Sequence, residues 1–433
     1  MTPIPALPPV RVEQALRVLP ELEALAPLRS LLLSVARTDD RTQWGSSAPY
    51  LTVGKRGIQP DDLRETMSAV LQGITGHLAF LYDCYLEALE GQQRRDGAVT
   101  VAALLKAGKR EESAGRRAAA RAWYETALTM SEGLPDRRAE IETLRILGHL
   151  AMRQGRFGVA ARAFQRSFVL AEAQYDQPGA IAAAQGLGDV ALAQGQWQGA
   201  RAWYHRGARL AEASGSPASV AELQHQLAVL ALRLRDHAGA QEHLVRARTQ
   251  FEQLGDAVQM ARVLNTEGRL EADLGRQGRA ANAYREALAW AQRSSGDPGL
   301  EIRIRSDIAH LSLRAERPFE AENELRRAEQ LAIARNLPAH LIEIYALMGR
   351  IRGIQGDETG FVFFEQALEL CRTLDRSPVL EGRVYHEYGV FRSQLGQREE
   401  ARVYLDRARE FYESAGGGPE LEEVKAALQR ISA

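Results

Sequence analysis

Residues 195–211 read GQWQGARAWYHRGARLA, and nearly the same pattern returns at 155–171 as GRFGVAARAFQRSFVLA and at 275–291 as GRQGRAANAYREALAWA. In the first stretch Gly195 is followed by Ala200, Tyr204 and Gly207, and the other two keep that order of glycine, alanine, aromatic and small residue. Ala200, Tyr204 and Gly207 are four and three residues apart, so they share one face of a helix. The small residues on that face let a neighbouring helix approach closely, and the aromatic ring fills the space between. Working outward, the last small residue recurs at Ala127, Ser167, Gly207, Ala247, Ala287, Ala328, Ala367 and Ala408, in steps of 40, 40, 40, 40, 41, 39 and 41. A fixed period of this length marks a repeat array.

The rest of the unit follows the same period. Alanine stands seven before the anchor at Ala120, Ala160, Ala200, Ala240, Ala280, Ala321 and Ala401. A bulky residue stands three before it at Tyr124, Phe164, Tyr204, Leu244, Tyr284, Leu325, Phe364 and Leu405. Nineteen before it, with a one-residue drift, come Gly108, Gly148, Gly188, Ala228, Gly268, Ala309, Gly349 and Gly389. The mid-unit glycines Gly155, Gly195, Gly275 and Gly396 suit the residue that closes a first helix. Pro178, Pro217, Pro298, Pro338, Pro378 and Pro419 fall between units, where proline opens a helix and opposes continuing the previous one. Each unit therefore reads as helix, short turn, helix, and a Pro- or Gly-marked turn.

This pattern resembles the tetratricopeptide repeat (TPR) family in a long-unit form, carried by Gly148, Gly155, Ala160, Phe164, Ser167 and their equivalents over about residues 101–415, or eight units. The resemblance implies an all-α, right-handed α-solenoid of helix-turn-helix repeats with an N-terminal helical cap and a C-terminal capping helix. The expected divisions are a cap region at 1–98, the solenoid at 99–418 and the capping helix at 419–433. On that last helix Leu421, Val424, Leu428 and Ile431 form one stripe. The chain departs from the pattern at Arg235 and Glu316, where glycine is usual, and at GDETGF in the seventh unit, which is one residue short. The departures read as ordinary repeat degeneration, with altered curvature as the other possibility.

The 433 residues carry 55 basic and 56 acidic side chains, a net charge of −1. No global basic field points to nucleic acid as the main partner. Cys84 and Cys371 give neither a disulfide framework nor a metal spacing. The start, MTPIPALPPV, lacks the charged and apolar segments of a signal peptide, and LRSLLLSVA is too short to span a bilayer. The expectation is a soluble, cytoplasmic protein.

Before the repeats, residues 11–36 carry helical spacing broken by Pro20 and Pro27, and residues 60–93 read as a helix opened by Pro60, Asp61 and Asp62. Between them, residues 38–59 form a polar, glycine-containing loop with a possible short hairpin around YLTVGKRG. A long loop of this kind is often functional. Trp44, Tyr50, Lys55 and Arg56 are its contact candidates, against the plainer reading that it covers the first repeat.

No catalytic motif is present: no phosphate-binding glycine loop, no HExxH, no GxSxG. The expectation is a non-enzyme with no cofactor and no metal. His225, His237 and His243 are placed on a first helix, in a turn and on a second helix, and Cys371 reads as buried packing. The sharper feature lies on the first helices, which in the resembled family line the concave groove. Three before the unit glycine stand Leu105, Arg145, Gln185, His225, Asn265, Ser306, Ala346 and His386, and one after it Lys109, His149, Asp189, Val229, Arg269, His310, Arg350 and Val390, a mostly polar set. Positions four apart share a face, and Arg262 and Arg303 add charge to it. These side chains can give directional bonds to the backbone of an extended peptide. The leading expectation is a scaffold or adaptor that holds a mildly acidic peptide or helix of a partner protein in the groove, with no nucleic acid or membrane partner. The alternative is a regulator in which a peptide or metabolite signal changes the solenoid's shape. Bacterial peptide-sensing regulators have similar repeats, but those that bind DNA carry a helix-turn-helix head, and none is found in residues 1–100.

Overall fold

The structure is a computed structural model. It describes residues 52–53, 56–57, 84, 87–88, 91, 96–113, 117–294, 297–335, 337–373, 378–414 and 419–432. The described residues form seventeen α-helices, paired helix-turn-helix. These are α1 (Gly97–Ser113), α2 (Arg117–Ser131), α3 (Arg138–Arg153), α4 (Phe157–Ala173), α5 (Gln177–Ala193) and α6 (Trp197–Ala213). They continue with α7 (Pro217–Arg233), α8 (His237–Leu254), α9 (Ala257–Asp273), α10 (Gln277–Ser294), α11 (Pro298–Arg314) and α12 (Pro318–Ala334). The last are α13 (Pro338–Ile354), α14 (Phe361–Thr373), α15 (Pro378–Gln394), α16 (Arg398–Ser414) and α17 (Pro419–Ser432). The fold is all-α and TPR-like. A single antiparallel pair, β1 (Thr52–Val53) with β2 (Arg56–Gly57), lies inside the 38–59 loop and matches the hairpin read around YLTVGKRG. Trp44 and Tyr50, the residue 11–36 helices and most of the 60–93 helix lie outside the described residues.

The chain separates into two compact parts, residues 1–150 with 166–179, and residues 151–165 with 180–433. In the first part Tyr124 of α2 lies on Gly108 of α1, where an added methyl would fall inside its ring. Ser167, the hydroxyl-bearing anchor, is fully buried and donates to the carbonyl of Ile141 at 3.0 Å. A buried polar group needs such a partner, so serine is tolerated where alanine is the rule.

The second part shows what the glycine of the first helix is for. Rings of Tyr204, Tyr284 and Phe364 occupy the space a side chain would need at Gly188, Gly268 and Gly349. Where alanine replaces the glycine, at Ala228 and Ala309, the facing residue is Leu244 or Leu325 and not an aromatic. The two positions therefore vary together in volume, as close-packed interiors require. Gly389 with Leu405 is the exception, and there the leucine itself fills the methyl's place.

The mid-unit turns keep one conformation whatever residue occupies them. Gly155, Gly195, Gly275, Gly356 and Gly396 have φ between 69° and 78°. Arg235 and Glu316 take the same left-handed turn at φ 60° and 58°. The substitution that marked these units in the sequence changes the strain of the turn and leaves its form intact. The short seventh unit opens its second helix with a 3-10 turn at Glu358–Gly360, where the Asp357 side chain accepts from the Thr359 amide at 2.9 Å. His237, expected in a turn, is the first residue of α8 because Asp236 caps that helix, accepting from the Gly239 amide. At the C-terminal end α17 lays Leu421, Val424, Leu428 and Ile431 against Leu405, Ala408 and Tyr412.

In the second part the first helices also touch one another directly: α7 with α9, α9 with α11, α11 with α13, α13 with α15 and α15 with α17. The polar residues of the first helices are thereby brought onto one wall.

Candidate functional site

The wall holds a cavity of about 330 Å³, lined only by first helices. Helix α5 supplies Gln185, and α7 supplies Glu222, His225, Gln226 and Val229. Helix α9 supplies Gln259, Arg262, Asn265, Thr266 and Arg269, and α11 supplies Leu300 and Arg303. Residues three or four apart on each helix face the same side, so the lining repeats from helix to helix.

Seven residues of the face read in the sequence converge here: Gln185, His225, Val229, Arg262, Asn265, Arg269 and Arg303. The others lie elsewhere. Asp189 accepts from the Tyr204 hydroxyl at 2.7 Å. Burial pushes its carboxyl up to about 6, against the pull of that bond, and Glu222 adds to the rise. Ser306 turns back to the Ile302 carbonyl at 3.1 Å. His310 is half-buried, and burial with the cations Arg350, Arg314, Arg269 and Arg383 pushes it down to about 4. Arg350 pairs with Glu387 at 3.6 Å. In the first part, burial and then Arg145 push His149 down to about 4. Arg56 stands in β2, its backbone paired with Val53.

Five cavity residues were missed by the sequence reading: Glu222, Gln226, Gln259, Thr266 and Leu300. Glu222 lies at the same unit position as Arg262 and Arg303. Extending the three-and-four spacing one turn toward each helix start would have found that position.

The wall is internally bonded. Asn265 is only 6% exposed, and its Nδ2 donates to Asp307 Oδ2 at 2.7 Å. His225 Nε2 and Thr266 Oγ1 are 2.8 Å apart, and Thr266 donates its one hydroxyl proton to the Arg262 carbonyl at 3.0 Å. The His225 ring must therefore carry its proton on Nε2 and donate it. Burial, Arg262 and Arg269 push His225 down to about 4, so the ring is neutral at physiological pH. Gln259 Nε2 donates to Glu222 Oε1 at 3.1 Å. Burial raises the Glu222 carboxyl while Arg262 opposes it. Burial likewise raises Asp307, opposed by Arg269, the Asn265 bond and Arg303, with Glu343 adding to the rise.

Several groups on the wall remain unspent. Asn265 Oδ1 and Arg262 Nε are buried without a hydrogen-bond partner. The orientation of the Asn265 amide is settled by its donation to Asp307, so the orphan atom is the acceptor. Arg262 reaches Asp297 only at 3.4 Å. Arg269 and Arg303 are exposed and make no hydrogen bond or ion pair with any described residue. The lining has three guanidinium groups against the single carboxylate of Glu222, with Asp297 beside Arg262 and Asp307 near Arg269 and Arg303 outside the lining.

Away from this wall, Cys371 is buried and burial pushes its thiol up to about 12, far from a nucleophile's range. Among the described residues no group of three His, Cys, Asp or Glu side chains is placed to hold a metal ion. None of the described helices is long and apolar enough to cross a membrane.

No protein-family model and no curated protein matches this sequence. Solved structures do match. One is a Rap protein complexed with competence and sporulation factor, with a TM-score of 0.54, 14% identity, and coverage of 86% of this chain and 93% of that one. Another is the Rap conjugation gene regulator of the plasmid pLS20 in complex with the Phr* peptide, with a TM-score of 0.52, 14% identity, and coverage of 86% and 97%. This chain is a TPR-like helical-repeat protein that resembles Rap proteins in fold. At 14% identity the likeness concerns the path of the helices and not the residues on their faces.

Proposed function

We propose that the protein is a peptide-responsive regulatory protein whose signal peptide lies along the wall formed by α5, α7, α9 and α11. The observation that carries this reading is the pair of unsatisfied groups, Asn265 Oδ1 and Arg262 Nε, buried in a cavity lined only by first helices. An unpaired buried acceptor beside an unpaired buried donor is costly to leave unmet. A peptide backbone offers the complement, an N–H and a C=O, at every residue. Both solved structures cited above are named as complexes, one with competence and sporulation factor and one with the Phr* peptide, and one is named a gene regulator. Those names support the regulatory reading over a static adaptor that only tethers a partner protein. Direct contact between consecutive first helices supplies a means of response, because a ligand spanning three or four of them adds differential contacts to one spacing of the helices.

The test is capture from the native host. Full-length protein is incubated with the fraction of culture medium and cell extract below about 3 kDa, and retained species are identified by native mass spectrometry. Short peptides should be retained by the wild type, and Asn265→Ala should weaken them by roughly 0.5–3 kcal/mol, the range for one buried hydrogen bond. Peptides held equally by wild type and by Asn265→Ala and Arg262→Ala variants would move the binding site off this wall. A fixed protein partner, retained from whole extract with no small peptide, would return the adaptor reading.

A further inference from the structure

Arg269 and Arg303 stand on adjacent first helices, α9 and α11, at the cavity where Asn265 Oδ1 waits for a donor. Other exposed arginines of the second part are ion-paired, as Arg246 on Glu242 and Arg326 on Glu322, or lie outside this cavity, as Arg233 and Arg335. Arg269 and Arg303 are close enough to Asp307 to bear on its titration, yet neither makes a hydrogen bond or ion pair to it, and Asp307 Oδ2 takes the Asn265 amide. Glu222, the one carboxylate of the lining, is held by Gln259 on the far side of Arg262. The site therefore presents guanidinium donors with no bonded anion and one amide carbonyl without an N–H. Guanidinium groups match a carboxylate geometrically and electrostatically better than any neutral group.

We infer that the wall recognises a carboxylate of its peptide ligand, gripped by Arg269 and Arg303 while an adjacent peptide N–H donates to Asn265 Oδ1. The inference rests on the proposed peptide function and specifies its ligand class. A C-terminal residue supplies carboxylate and N–H together, and an Asp or Glu side chain supplies them from one residue as well. The helix pair sets a direction on the peptide: its carboxylate lies toward α9 and α11, and the chain runs toward α7 and α5, where Gln226 and Gln185 offer neutral amides.

The probe is a set of four degenerate short-peptide libraries of one common length passed over immobilised full-length protein. One has free C-termini and includes Asp and Glu, one is C-terminally amidated, one lacks Asp and Glu, and one is both amidated and without acids. Retention read by mass spectrometry should be at least about tenfold lower for the neutral library than for the first. Of the two intermediate libraries, the one retained identifies the source of the carboxylate. Arg269→Gln and Arg303→Gln should close the gap, and Arg269→Lys should restore part of it. The glutamine variants should melt like the wild type, since neither arginine is bonded. Arg285→Ala, on the second helix α10 where Arg285 bonds Asn282, is the control and should leave the gap intact. A neutral library retained as well as the others, with Asn265→Ala still abolishing retention, would overturn the carboxylate and leave the wall as a peptide site. Retention of no library above the Asn265→Ala background would overturn both.

Discussion

The first helices α7, α9 and α11 and the later pair α13 and α15 have the same repeat form, one set facing a polar cavity and the other packed with aromatic rings. On α7 to α11 the wall is polar and holds two buried unpaired atoms and two unpaired arginines. On α13 and α15 the equivalent positions are Ala346, Arg350, His386 and Val390, Arg350 Nε, Glu387 Oε2 and Arg392 Nε are likewise buried without a hydrogen bond, and aromatic rings pack between the helices. Tyr388 stacks on Phe364 at 4.6 Å and on Tyr404 at 4.0 Å, and Tyr385 stacks on Phe411 at 5.4 Å. Arg392 finishes the cluster by donating to the Tyr388 hydroxyl at 3.0 Å. The difference shows how one repeat serves two ends: stacked rings pack one region, and arginines without an ion pair open onto a cavity in the other.

The widest way to test that contrast is to truncate one residue on each side of it. Tyr388→Ala should cost roughly 3–5 kcal/mol in urea denaturation, as large aromatic truncations do in a close-packed core. Arg269→Ala should stay within about 0.5 kcal/mol, as surface changes do. Comparable losses from the two would erase the contrast.

A smaller effect separates the packing rule from the polar wall. Gly268→Ala drives a methyl into the Tyr284 ring. Overpacking costs about 1–3 kcal/mol, against a gain of about 1 kcal/mol in helix propensity, so a net loss is expected. Adding Tyr284→Leu reproduces the Ala228–Leu244 pairing and should recover most of that loss in a double-mutant cycle. Additive losses would break the proposed volume exchange.

The turns should respond in the opposite sense. Arg235 and Glu316 hold left-handed φ values that glycine adopts freely. Arg235→Gly and Glu316→Gly should each raise stability by about 1 kcal/mol, and Gly275→Arg should lower it by a similar amount. Thermal melts of the three variants decide this.

The last effect is one of pH. His225 has its folded pKa pushed to about 4, below the ordinary imidazole value, so the stability it carries is present above that ordinary value and is lost as pH falls through about 4. Asp189, pushed up to about 6, acts in reverse: its contribution is present at low pH and is lost as pH rises through about 6. His225→Gln should therefore lose less stability than wild type on acidification from pH 7 to 4, and Asp189→Asn should lose more. Parallel pH profiles for the three proteins would show that neither group is held as described.

The helical array was legible before any coordinate because its signal is steric and local. Ala200, Tyr204 and Gly207 recur at one period because each pair of helices has the same gap to fill. The candidate site was legible in part. His225, Asn265 and Arg269 stand at fixed offsets from the unit glycine or alanine, so their shared wall followed from helical spacing alone. Leu300 and Gln259 did not follow, because they lie near the starts of α11 and α9, a turn or more from the positions used to index the wall.

The sequence by itself determined the all-α repeat, the left-handed turn after each first helix and the face on which the polar residues stand. All three depend on contacts within one unit or between units at a constant spacing. Only the tertiary structure decided which of those polar residues are already committed. Asn265 is tied to Asp307 forty-two residues away, His225 to Thr266 forty-one away, and Asp189 to Tyr204 in its own unit, while Arg269 and Arg303 are left unpaired. A period tells where a side chain points. Whether it meets a partner there depends on the reach and rotamer of residues a whole repeat away, which no spacing encodes.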